Sequence, residues 1–594
     1  MSSRHFIDDA THLVNTALHS LTLTNPHVAL DAEHKIVYRR ASSYAAPQVA
    51  LLSGGGSGHE PSFAGMVGPG MLSAAVAGTV FASPSAEQVR RAILTLTRQD
   101  AAATRGVLVV VMNYTGDVLN FGMAVEKARA AGVDAEMVIV GDDVGVGRAQ
   151  AGKVGRRGIA GTVLVLKIAG AMAARGAAWE DVLATARRVA GNVVSVGASL
   201  EHVHVPGRAA DEDGSGSGMA RGEVEIGMGI HNEAGCEKAR LELPALVGRM
   251  LAQLLDTSDK DRGFLVEPLG PGATVVLLVN NLGGVSVLEM GGITAEVVAQ
   301  LRERYGIRPA RVIAGTFMTS LNGMGFSISL LDVRRAGGAS VLELLDAPSE
   351  VTGWSAPIST ATWEAAAARG EESDEPAAAA AVVQEEEKPS GLKHDAAASQ
   401  AALTAALKSV IAAEPDLTRY DTVVGDGDCG IGLKRGAEAV LKHLEEHPFT
   451  GDLAVDVARL VPVVEGTMDG TSGALYAIFL NALVHALRGQ PPGEATPQVW
   501  VQAFEAGFGA LSQYTPARQG DRTLVDALYP FMGELMASGD VRRAARASRA
   551  GAEATKGMKA SLGRSVYVGG SGYEEVPDPG AWGLACFFDG LAGN

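Results

Sequence analysis

Three carboxylates fall within eight residues in the second half of this chain, and glycines separate them. Asp421, Asp426 and Asp428 belong to the segment DTVVGDGDCG, residues 421–430. Carboxylate oxygens are hard ligands that suit Mg²⁺, which proteins usually hold through one or two carboxylates together with phosphate oxygens of the substrate. Glycine allows the backbone to approach such a ligand closely. The segment therefore predicts a site for a nucleotide and Mg²⁺.

A glycine-rich segment with a histidine lies near the other end of the chain. It reads SGGGSGHEP, residues 53–61, and follows an apolar run. Gly56, Ser57 and Gly58 offer backbone N–H groups to a ligand, and His59 can change its charge near neutral pH. A tight turn that holds an ordinary hydrogen-bonded histidine explains the same residues equally well.

Two further segments carry groups that could act on a substrate. In NYTGD, residues 113–117, Asp117 could accept a proton from a substrate hydroxyl, although an Asx turn or a helix N-cap is the simpler interpretation. In GMGIHNEAG, residues 227–235, His231 lies in a glycine-lined turn as a candidate nucleophile, base or ligand. No second histidine or cysteine stands at zinc-ligand spacing, so we do not expect a zinc site.

Turns of small residues follow the three carboxylates. Residues 469–474, DGTSGA, open a predicted helix, and a helix N-terminus with hydroxyl and N–H groups is a natural seat for phosphate. The segments GDRTL, residues 520–524, and DPG, residues 578–580, are further glycine-containing turns. Arg564 could stabilise the charge on a phosphoryl group in transfer, but a surface ion pair is the usual role of a single arginine.

The composition is that of a soluble globular protein and argues against several classes of partner. The 594 residues are 47% hydrophobic and 20% charged, and the net charge of −17 would repel a nucleic-acid backbone. The three cysteines, Cys236, Cys429 and Cys586, are too dispersed for a disulfide framework. The sequence shows no signal peptide and no apolar run of about 20 residues. We therefore expect a cytoplasmic protein that binds neither nucleic acid nor membrane.

Before residue 356 the pattern alternates between apolar runs and amphipathic segments such as 121–131. Buried strands are predicted at 48–53, 106–112, 135–140 and 273–279. This alternation predicts α/β layers with at least one parallel sheet, and ligands bind such sheets at the carboxyl ends of the strands. A second unit is expected to begin near residue 192 and to include a strand at 223–228.

The stretch between about residues 363 and 395 is rich in alanine and glutamate, which favours a flexible tether over an exposed helix. After it the sequence predicts an all-helical domain. Its helices are expected at 396–413, 433–447, 452–464, 473–487, 499–513, 524–536 and 541–562. The predicted organisation is α/β subdomains at 1–191 and 192–355, a linker at 356–395 and a helical domain at 396–594.

Taken together, these segments resemble the single-chain ATP-dependent dihydroxyacetone kinases, the triokinase and glycerone kinase family. The resemblance covers nearly the whole chain outside the tether. It rests on the ordered set SGGGSGHEP, NYTGD, GDDVxVGR, GIHxExG, GDGDCG, GTSGALY, GDRT, GRxxY and DPGA. It implies two α/β subdomains that bind a short ketose and an eight-helix barrel that binds ATP and Mg²⁺. The implied reaction transfers the γ-phosphoryl group of ATP to dihydroxyacetone and gives dihydroxyacetone phosphate.

The resemblance also implies roles for individual residues. His231 would attack the ketone and hold it as a hemiaminal, which would select ketoses and aldehydes over glycerol. Asp117 would act as the base toward the terminal hydroxyl, with help from His59, and Arg564 would neutralise the γ-phosphoryl group. Two Mg²⁺ ions would be held by Asp421, Asp426 and Asp428. The ketose would be lined by Gly56, Ser57, Gly58, His59, Met112 and Asp117. The nucleotide would contact Gly427, Cys429, Gly430, Thr471, Ser472, Thr515, Thr523, Leu524, Arg564, Asp578, Pro579 and Gly580.

The chain departs from the family pattern at four places. Met112 stands where a lysine commonly precedes NYTGD, and Asp469 stands where a glycine is usual before GTSG. Ile431-Gly432 replaces a frequent pair of threonines after the aspartates, and Thr515-Pro516 replaces a pair of glycines before GDRT. None of these changes removes a catalytic group that the resemblance implies, so we interpret them as tuning of affinity or of ketose preference.

Other functions within the same family stay open. The acceptor could be erythrulose or glyceraldehyde, and some family members cyclise FAD with Mn²⁺ through the same ATP-site motifs. A ketose sensor without catalysis is the less favoured alternative, because a sensor would not need the three aspartates. The family also implies a domain-swapped homodimer in which the ATP domain of one chain covers the ketose site of the other.

Overall fold

The computed structural model describes residues 5–98, 104–208, 219–355, 357–369, 389–468, 470–560, 562 and 573–593. The chain divides into two compact units, Met1–Ser373 and Asp374–Asn594. The first unit is built on two six-stranded sheets, and the second is helical apart from one pair of two-residue strands. The predicted fold class, two α/β subdomains followed by an all-helical domain, is confirmed.

The first sheet has the strand order β1-β2-β4-β3-β5-β6. Its strands are β1 (Val28–Asp31), β2 (Ile36–Arg39), β3 (Gln48–Ser57), β4 (Ala74–Val80), β5 (Thr104–Met112) and β6 (Ala135–Val140). The four strands β4, β3, β5 and β6 are parallel, and the β1–β2 hairpin adds an antiparallel edge. A parallel sheet of buried apolar strands is the arrangement that the runs at 48–53, 106–112 and 135–140 predict.

The second sheet has the order β11-β10-β12-β7-β8-β9. Its strands are β7 (Val193–Ser199), β8 (Val224–Ile226), β9 (Glu237–Ala239), β10 (Val275–Asn281), β11 (Arg311–Gly315) and β12 (Gly325–Asp332). Only the β10–β11 pair is parallel among these strands as the structure describes them. The sequence pattern did not distinguish this largely antiparallel sheet from the parallel one.

Helices cover both sheets of the first unit. They are α1 (Ala10–Thr24), α2 (Ala86–Arg98), α3 (Thr115–Ala130), α4 (Arg148–Ala151), α5 (Thr162–Ala174), α6 (Trp179–Gly191), α7 (Leu243–Leu255), α8 (Val287–Tyr305), α9 (Val333–Ala336), α10 (Ala339–Leu345) and α11 (Thr360–Arg369). Helix α5 is apolar apart from Thr162 and Lys167 and is almost wholly buried, as expected of a helix inside a core. Its core cluster includes Leu51 of β3 and Val276 and Leu278 of β10, so the two sheets share one hydrophobic core.

The second unit contains eight helices within residues 389–468, 470–560 and 573–593. They are α12 (Ala396–Val424), α13 (Cys429–Glu446), α14 (Leu453–Thr467), α15 (Gly470–Arg488), α16 (Pro497–Tyr514), α17 (Val525–Ser538), α18 (Val541–Ala554) and α19 (Pro579–Leu591). Two short strands, β13 (Leu392–Lys393) and β14 (Gly493–Glu494), pair in parallel. Each helix packs on the next, and α19 packs back on α12, so the helices close into a barrel.

The barrel encloses an apolar cavity of about 760 Å³. Helices α12 and α15 are long and apolar enough, by length and composition, to cross a membrane. Leu403 and Leu407 of α12 and Leu475 and Phe479 of α15 line the cavity, so the barrel itself accounts for their apolar character.

Candidate active site

His59 is fixed at the end of the glycine-rich strand β3. A side chain on Gly56 would collide with the backbone of residues 81 and 82, because an added Cβ would lie 2.7 Å from the nitrogen of Ala82. Gly58 has a φ of +102°, a conformation that favours glycine. His59 is completely buried and stacks on Phe81 with ring centroids 5.4 Å apart. The glycines therefore let the strand pack closely enough to bury the histidine.

His231 reaches the same place from the second sheet. Its Nε2 atom lies 2.9 Å from Nε2 of His59. The loop that precedes β12 joins the two histidines, because Thr319 offers its carbonyl oxygen to Nδ1 of His59 at 2.8 Å. In the same loop, Ser320 donates from Oγ to the carbonyl oxygen of Ile230 at 2.7 Å. The site thus lies where the two sheet subdomains of the first unit meet.

Asp117 lies in the first turn of α3 and is 4% exposed. Among the described residues, its Oδ1 atom has no hydrogen-bond partner. Burial raises the pKa of Asp117 to about 6, although a hydrogen bond from Ser83 and the charge of His231 oppose the increase. A carboxyl group with such a pKa and an unpaired oxygen is suited to accept a proton from a bound hydroxyl group.

The other predicted ketose-site residues surround this group in different ways. Ser57 donates from Oγ to the carbonyl oxygen of Gly78 at 2.9 Å, so its hydroxyl group serves the sheet. Met112 is the last residue of β5 and is 1% exposed within the hydrophobic core. Tyr114, which was not among the predicted site residues, places its ring edge-on to His231 at 4.7 Å. Its hydroxyl group is buried and has no partner in the part of the chain that the structure describes.

The three aspartates of the second unit come together at one end of the barrel. Asp421 is buried in the last turn of α12, and Asp426 and Asp428 are exposed in the following turn. One oxygen from each lies within 4.8 Å of the others, so a divalent cation can contact all three. Asp421 also accepts from the backbone nitrogen of Cys429 at 3.0 Å, which fixes the start of α13. This all-carboxylate donor set fits Mg²⁺.

Most of the residues predicted to contact the nucleotide lie on four segments of the second unit. Gly427, Cys429 and Gly430 follow the aspartates, and Ser472 in the first turn of α15 has its Oγ 3.9 Å from Sγ of Cys429. Thr471 shares that first turn. The other two segments, at 523–524 and 578–580, abut, because a Cβ added to Gly580 would lie 3.6 Å from Cβ of Leu524.

Two members of the predicted nucleotide set differ in their surroundings. Asp578 caps α19 by accepting from the nitrogen of Ala581 at 2.8 Å, and burial raises its pKa to about 7. Thr515 caps the end of α16 through its backbone. Arg564 and the substituted Asp469 lie outside the described residues, so their predicted roles stay predictions.

Besides Tyr114, three residues at the two sites were not singled out from the sequence. Glu233 accepts from Nδ1 of His231 at 3.1 Å. Asp526 accepts from the nitrogens of Gly520 and Thr523 at 2.6 and 2.8 Å and so shapes the GDRT turn. Arg522 crosses from that turn to the carbonyl oxygens of residues 558 and 576. The partners of Arg522 lie 36 and 54 residues away along the chain, which hides its role from the sequence. Glu233 and Asp526 bond to groups within six residues, but the fold of each turn decides those contacts.

Known proteins and domain families match both units of the chain. Residues 19–353 match the Dak1 domain and residues 423–593 match the DAK2 domain. The dihydroxyacetone kinase of Pichia angusta is 42% identical over 615 residues, covering 100% of this chain and 98% of the relative. Dihydroxyacetone kinase 2 of Saccharomyces cerevisiae is 41% identical and covers 100% and 99%. The crystal structure of the dihydroxyacetone kinase from C. freundii with AMP-PNP and Mg²⁺ aligns over 100% of both chains, with a TM-score of 0.63 and 32% identity.

The fold and the two sites define a two-unit phosphotransferase, in which one unit binds the acceptor and the other binds a nucleotide with a divalent cation. Two domain models and full-length relatives above 30% identity identify the family of phosphotransferases to which the chain belongs. The chain belongs to the family of single-chain ATP-dependent dihydroxyacetone kinases.

Proposed function

We propose that this kinase transfers the γ-phosphoryl group of ATP to dihydroxyacetone while the ketose is held covalently on His231. The observation that carries this proposal is the pair of histidines at 2.9 Å beside the buried carboxyl group of Asp117. An imidazole nitrogen can add to a carbonyl carbon, whereas glycerol offers no carbonyl group. The covalent bond would therefore select short ketoses and aldehydes over polyols of the same size.

Asp117 would act on the terminal hydroxyl group of the bound ketose. With a pKa of about 6, it is largely ionised at neutral pH and remains basic enough to accept a proton. As that proton leaves, the hydroxyl oxygen attacks the γ-phosphorus of ATP and the bond to the β-phosphate oxygen breaks. His59 would assist by hydrogen bonding within the site.

The second unit would supply the activated phosphoryl group. Asp421, Asp426 and Asp428 would hold Mg²⁺ on the triphosphate, and two ions are proposed because three carboxylates and a triphosphate offer enough oxygen ligands. The helix start at Thr471 and Ser472 would seat phosphate oxygens. Arg564 would stabilise the charge on the group in transfer.

A homodimer follows as a further proposal. The acceptor and nucleotide residues lie on separate compact units, and phosphoryl transfer requires them to meet. We propose that the ATP domain of one chain covers the ketose site of its partner, as the family resemblance implies. Sedimentation velocity at concentrations used for assays tests this arrangement. A monomer that keeps full activity at high dilution would contradict it.

The assay that tests the function is ADP release with Mg-ATP and dihydroxyacetone, with glycerol as the control acceptor. Turnover with the ketone alone is expected. Erythrulose and glyceraldehyde are the alternative acceptors, and FAD with Mn²⁺ tests the cyclase alternative. Turnover of glycerol as fast as dihydroxyacetone would contradict covalent selection of a carbonyl.

We also propose the cytoplasm as the compartment, which fits three cysteines that form no disulfide.

A further inference from the structure

The hydrogen bonds of the two histidines fix where their protons lie. Nδ1 of His59 contacts the carbonyl oxygen of Thr319 at 2.8 Å, and Nδ1 of His231 contacts Oε1 of Glu233 at 3.1 Å. A carbonyl oxygen and an ionised carboxylate can only accept, so both Nδ1 atoms carry a proton. The facing Nε2 atoms lie 2.9 Å apart and must share one further proton. The pair therefore holds three protons and one positive charge, although burial lowers the pKa of His59 to about 3 and so disfavours the shared proton on that ring.

Glu233 is held as the counter-charge to this pair. Its Oε2 atom accepts from the backbone nitrogen of His231 at 2.9 Å, so both carboxylate oxygens are committed to the same residue. Burial favours the protonated form, but the hydrogen bonds and charge of His231, with the charge of Arg157, outweigh it and lower the pKa of Glu233 to about 2. A Cβ on Gly229 would lie 2.0 Å from Oε2 of Glu233 and 2.5 Å from Nη1 of Arg157. A glycine there makes room for both charged groups.

Arg157 is itself anchored on the side away from the histidine. It forms a buried ion pair with Asp143 at 2.7 Å and donates to the carbonyl oxygen of Gly227 at 2.7 Å. The chain of charges thus runs from Asp143 through Arg157 to Glu233 and ends at the imidazole ring. Around that ring the other titratable groups are His59, the phenol of Tyr114 and the carboxyl group of Asp117.

We propose that Glu233 is a positioning residue that keeps the Nδ1 proton on His231 throughout covalent binding and neutralises a cationic adduct. The inference rests on the proposed hemiaminal. Nε2 of His231 forms the bond to the ketone carbon, and the π-electron pair of the carbonyl group moves to oxygen. The shared proton passes to Nε2 of His59 as this bond forms and then to the ketone oxygen, which leaves His59 neutral. His231 keeps its Nδ1 proton, so the positive charge of the pair ends on the substituted imidazolium beside Glu233.

Replacing the carboxylate by an amide should reverse the tautomer without removing the turn. In Glu233→Gln the amide oxygen can still accept from the nitrogen of His231, but the NH₂ group faces Nδ1 and donates to it. Nδ1 then has no proton, so His231 cannot pass its Nε2 proton to His59 without becoming an anionic imidazolate, and the nucleophilic lone pair stays occupied. Adduct formation should fall about tenfold or more, as expected when a charge-assisted hydrogen bond is lost. The adduct that still forms in the variant has no proton on Nδ1 and no positive charge. The amount of adduct, relative to that of the wild type, should therefore increase with pH.

The test is ¹³C NMR of the full-length protein with dihydroxyacetone labelled at the carbonyl carbon. In the wild type the label should move from the ketone region to the region of tetrahedral carbon. Glu233→Gln should need about tenfold more ketose for the same signal, with unchanged affinity for Mg-ADP. The matched control is Glu237→Gln, which removes a carboxylate that is 29% exposed and pairs with Arg249, and this variant should bind ketose normally.

The outcomes separate this inference from the proposed function. No tetrahedral signal in the wild type would reject the hemiaminal itself. A wild-type signal that Glu233→Gln reproduces at the same ketose concentration and pH would overturn the role of Glu233. Should that variant fail to fold, ¹⁵N NMR of histidine-labelled wild type decides, because an adduct whose Nδ1 is unprotonated contradicts the proposal.

Discussion

Arg522 donates from Nη2 to the carbonyl oxygen of Val576 at 2.9 Å, a contact between residues 54 positions apart. Its Nη1 atom donates to the carbonyl oxygen of Met558 at 2.9 Å, and the residue is 2% exposed. Thr523 follows Arg522 directly, and Asp578 lies two residues after Val576. The guanidinium group therefore joins two turns that are proposed to contact the nucleotide.

Arg522→Lys should weaken ATP binding. An ammonium group cannot reproduce the planar fork that serves two carbonyl oxygens, so the turns at 523–524 and 578–580 should lose their fixed spacing. We expect KM for ATP to rise about tenfold, as for one lost charge-assisted hydrogen bond, with little change in ketose binding. ADP release at varied ATP concentration measures the effect. Arg546→Lys on the exposed face of α18 is the control, and an unchanged KM in Arg522→Lys would reject the role.

Asp526→Asn should disturb the turn at 520–524, which is proposed to contact the nucleotide. Both carboxylate oxygens of Asp526 accept backbone N–H groups, from Gly520 and Thr523, and an amide can accept only one of them. The NH₂ group of the asparagine would then face a backbone N–H group without an acceptor between them. This repulsion should shift the turn and raise KM for ATP by about tenfold. Isothermal titration with Mg-ADP gives a direct reading. Equal affinity in Asp526→Asn and in the surface variant Asp540→Asn would show that the turn keeps its shape without the carboxylate.

Asp117→Asn should stabilise the protein at neutral pH while abolishing turnover. The folded-state pKa of Asp117 is raised from 3.8 to about 6, so the ionised carboxylate destabilises the fold above that pH. The stability that protonation provides is present below pH 4 and is lost as the pH rises through about 6. The variant does not titrate, so its advantage should grow to roughly 2–3 kcal/mol across this window.

Urea unfolding at pH 4 and pH 7.5 measures the advantage of Asp117→Asn. The exposed Asp134→Asn is the control and should show little difference from wild type at either pH. An advantage of Asp117→Asn that is equal at both pH values would mean that the carboxyl group titrates normally in the folded protein.

Asp426→Asn should raise the Mg²⁺ concentration needed for half-maximal activity more than it raises KM for ATP. Asp426 is exposed, so replacing it removes a ligand charge without emptying a core. The apparent Mg²⁺ requirement in the ADP-release assay should rise by about tenfold or more, because affinity for hard cations follows the number of charged ligands. Asp416→Asn, an exposed residue paired with Arg419, is the control. An unaltered Mg²⁺ dependence would place the metal elsewhere.

The position of Asp421 shows what the sequence pattern could not determine. The helix predicted at 396–413 continues through Pro415 to Val424, which puts Asp421 in a helical turn rather than in a loop. Proline usually ends a helix because it lacks an N–H group and its ring crowds the preceding turn. Packing of α12 between α13 and α19 outweighs that cost here. Such packing is long-range and leaves no periodic signal near residue 415.

Helix α19 was not predicted from the residues for a related reason. Its sequence, PGAWGLACFFDGL, is apolar nearly all round and contains two interior glycines, so it shows no amphipathic stripe. A Cβ on Gly590 would lie 2.7 Å from the carbonyl oxygen of Ala405, and one on Gly583 would lie 2.7 Å from Cδ1 of Leu433. The glycines that weaken the local pattern are those that allow α19 to close the barrel. The helix predicted at 541–562 instead stops at Ala554, shortly before Gly557 with its positive φ.

The ketose-site histidines were identifiable as residues but not as a pair. SGGGSGHEP and GIHNEAG each marked a histidine in a glycine-lined turn, and the structure brings the two rings together from different sheets. Glu233 follows His231 by two residues, and its pKa is lowered mainly by the hydrogen bonds and charge of that histidine, with a smaller contribution from Arg157, which lies more than 70 residues earlier. Sequence distance hides such relationships, because a buried charge is defined by its neighbours in space.

The seam between the two sheets limits how this protein can be divided into separate genes or fragments. His59 belongs to the subdomain of the first sheet and His231 to that of the second, and Thr319 and Ser320 tie both to one loop. A split near residue 192 would leave each fragment with half of the proposed ketose site and an exposed share of a common core. A split between Ser373 and Asp374 would leave the acceptor site and the nucleotide site each whole. Two co-expressed polypeptides cut at that point are therefore the natural fragments for reconstituting activity by mixing.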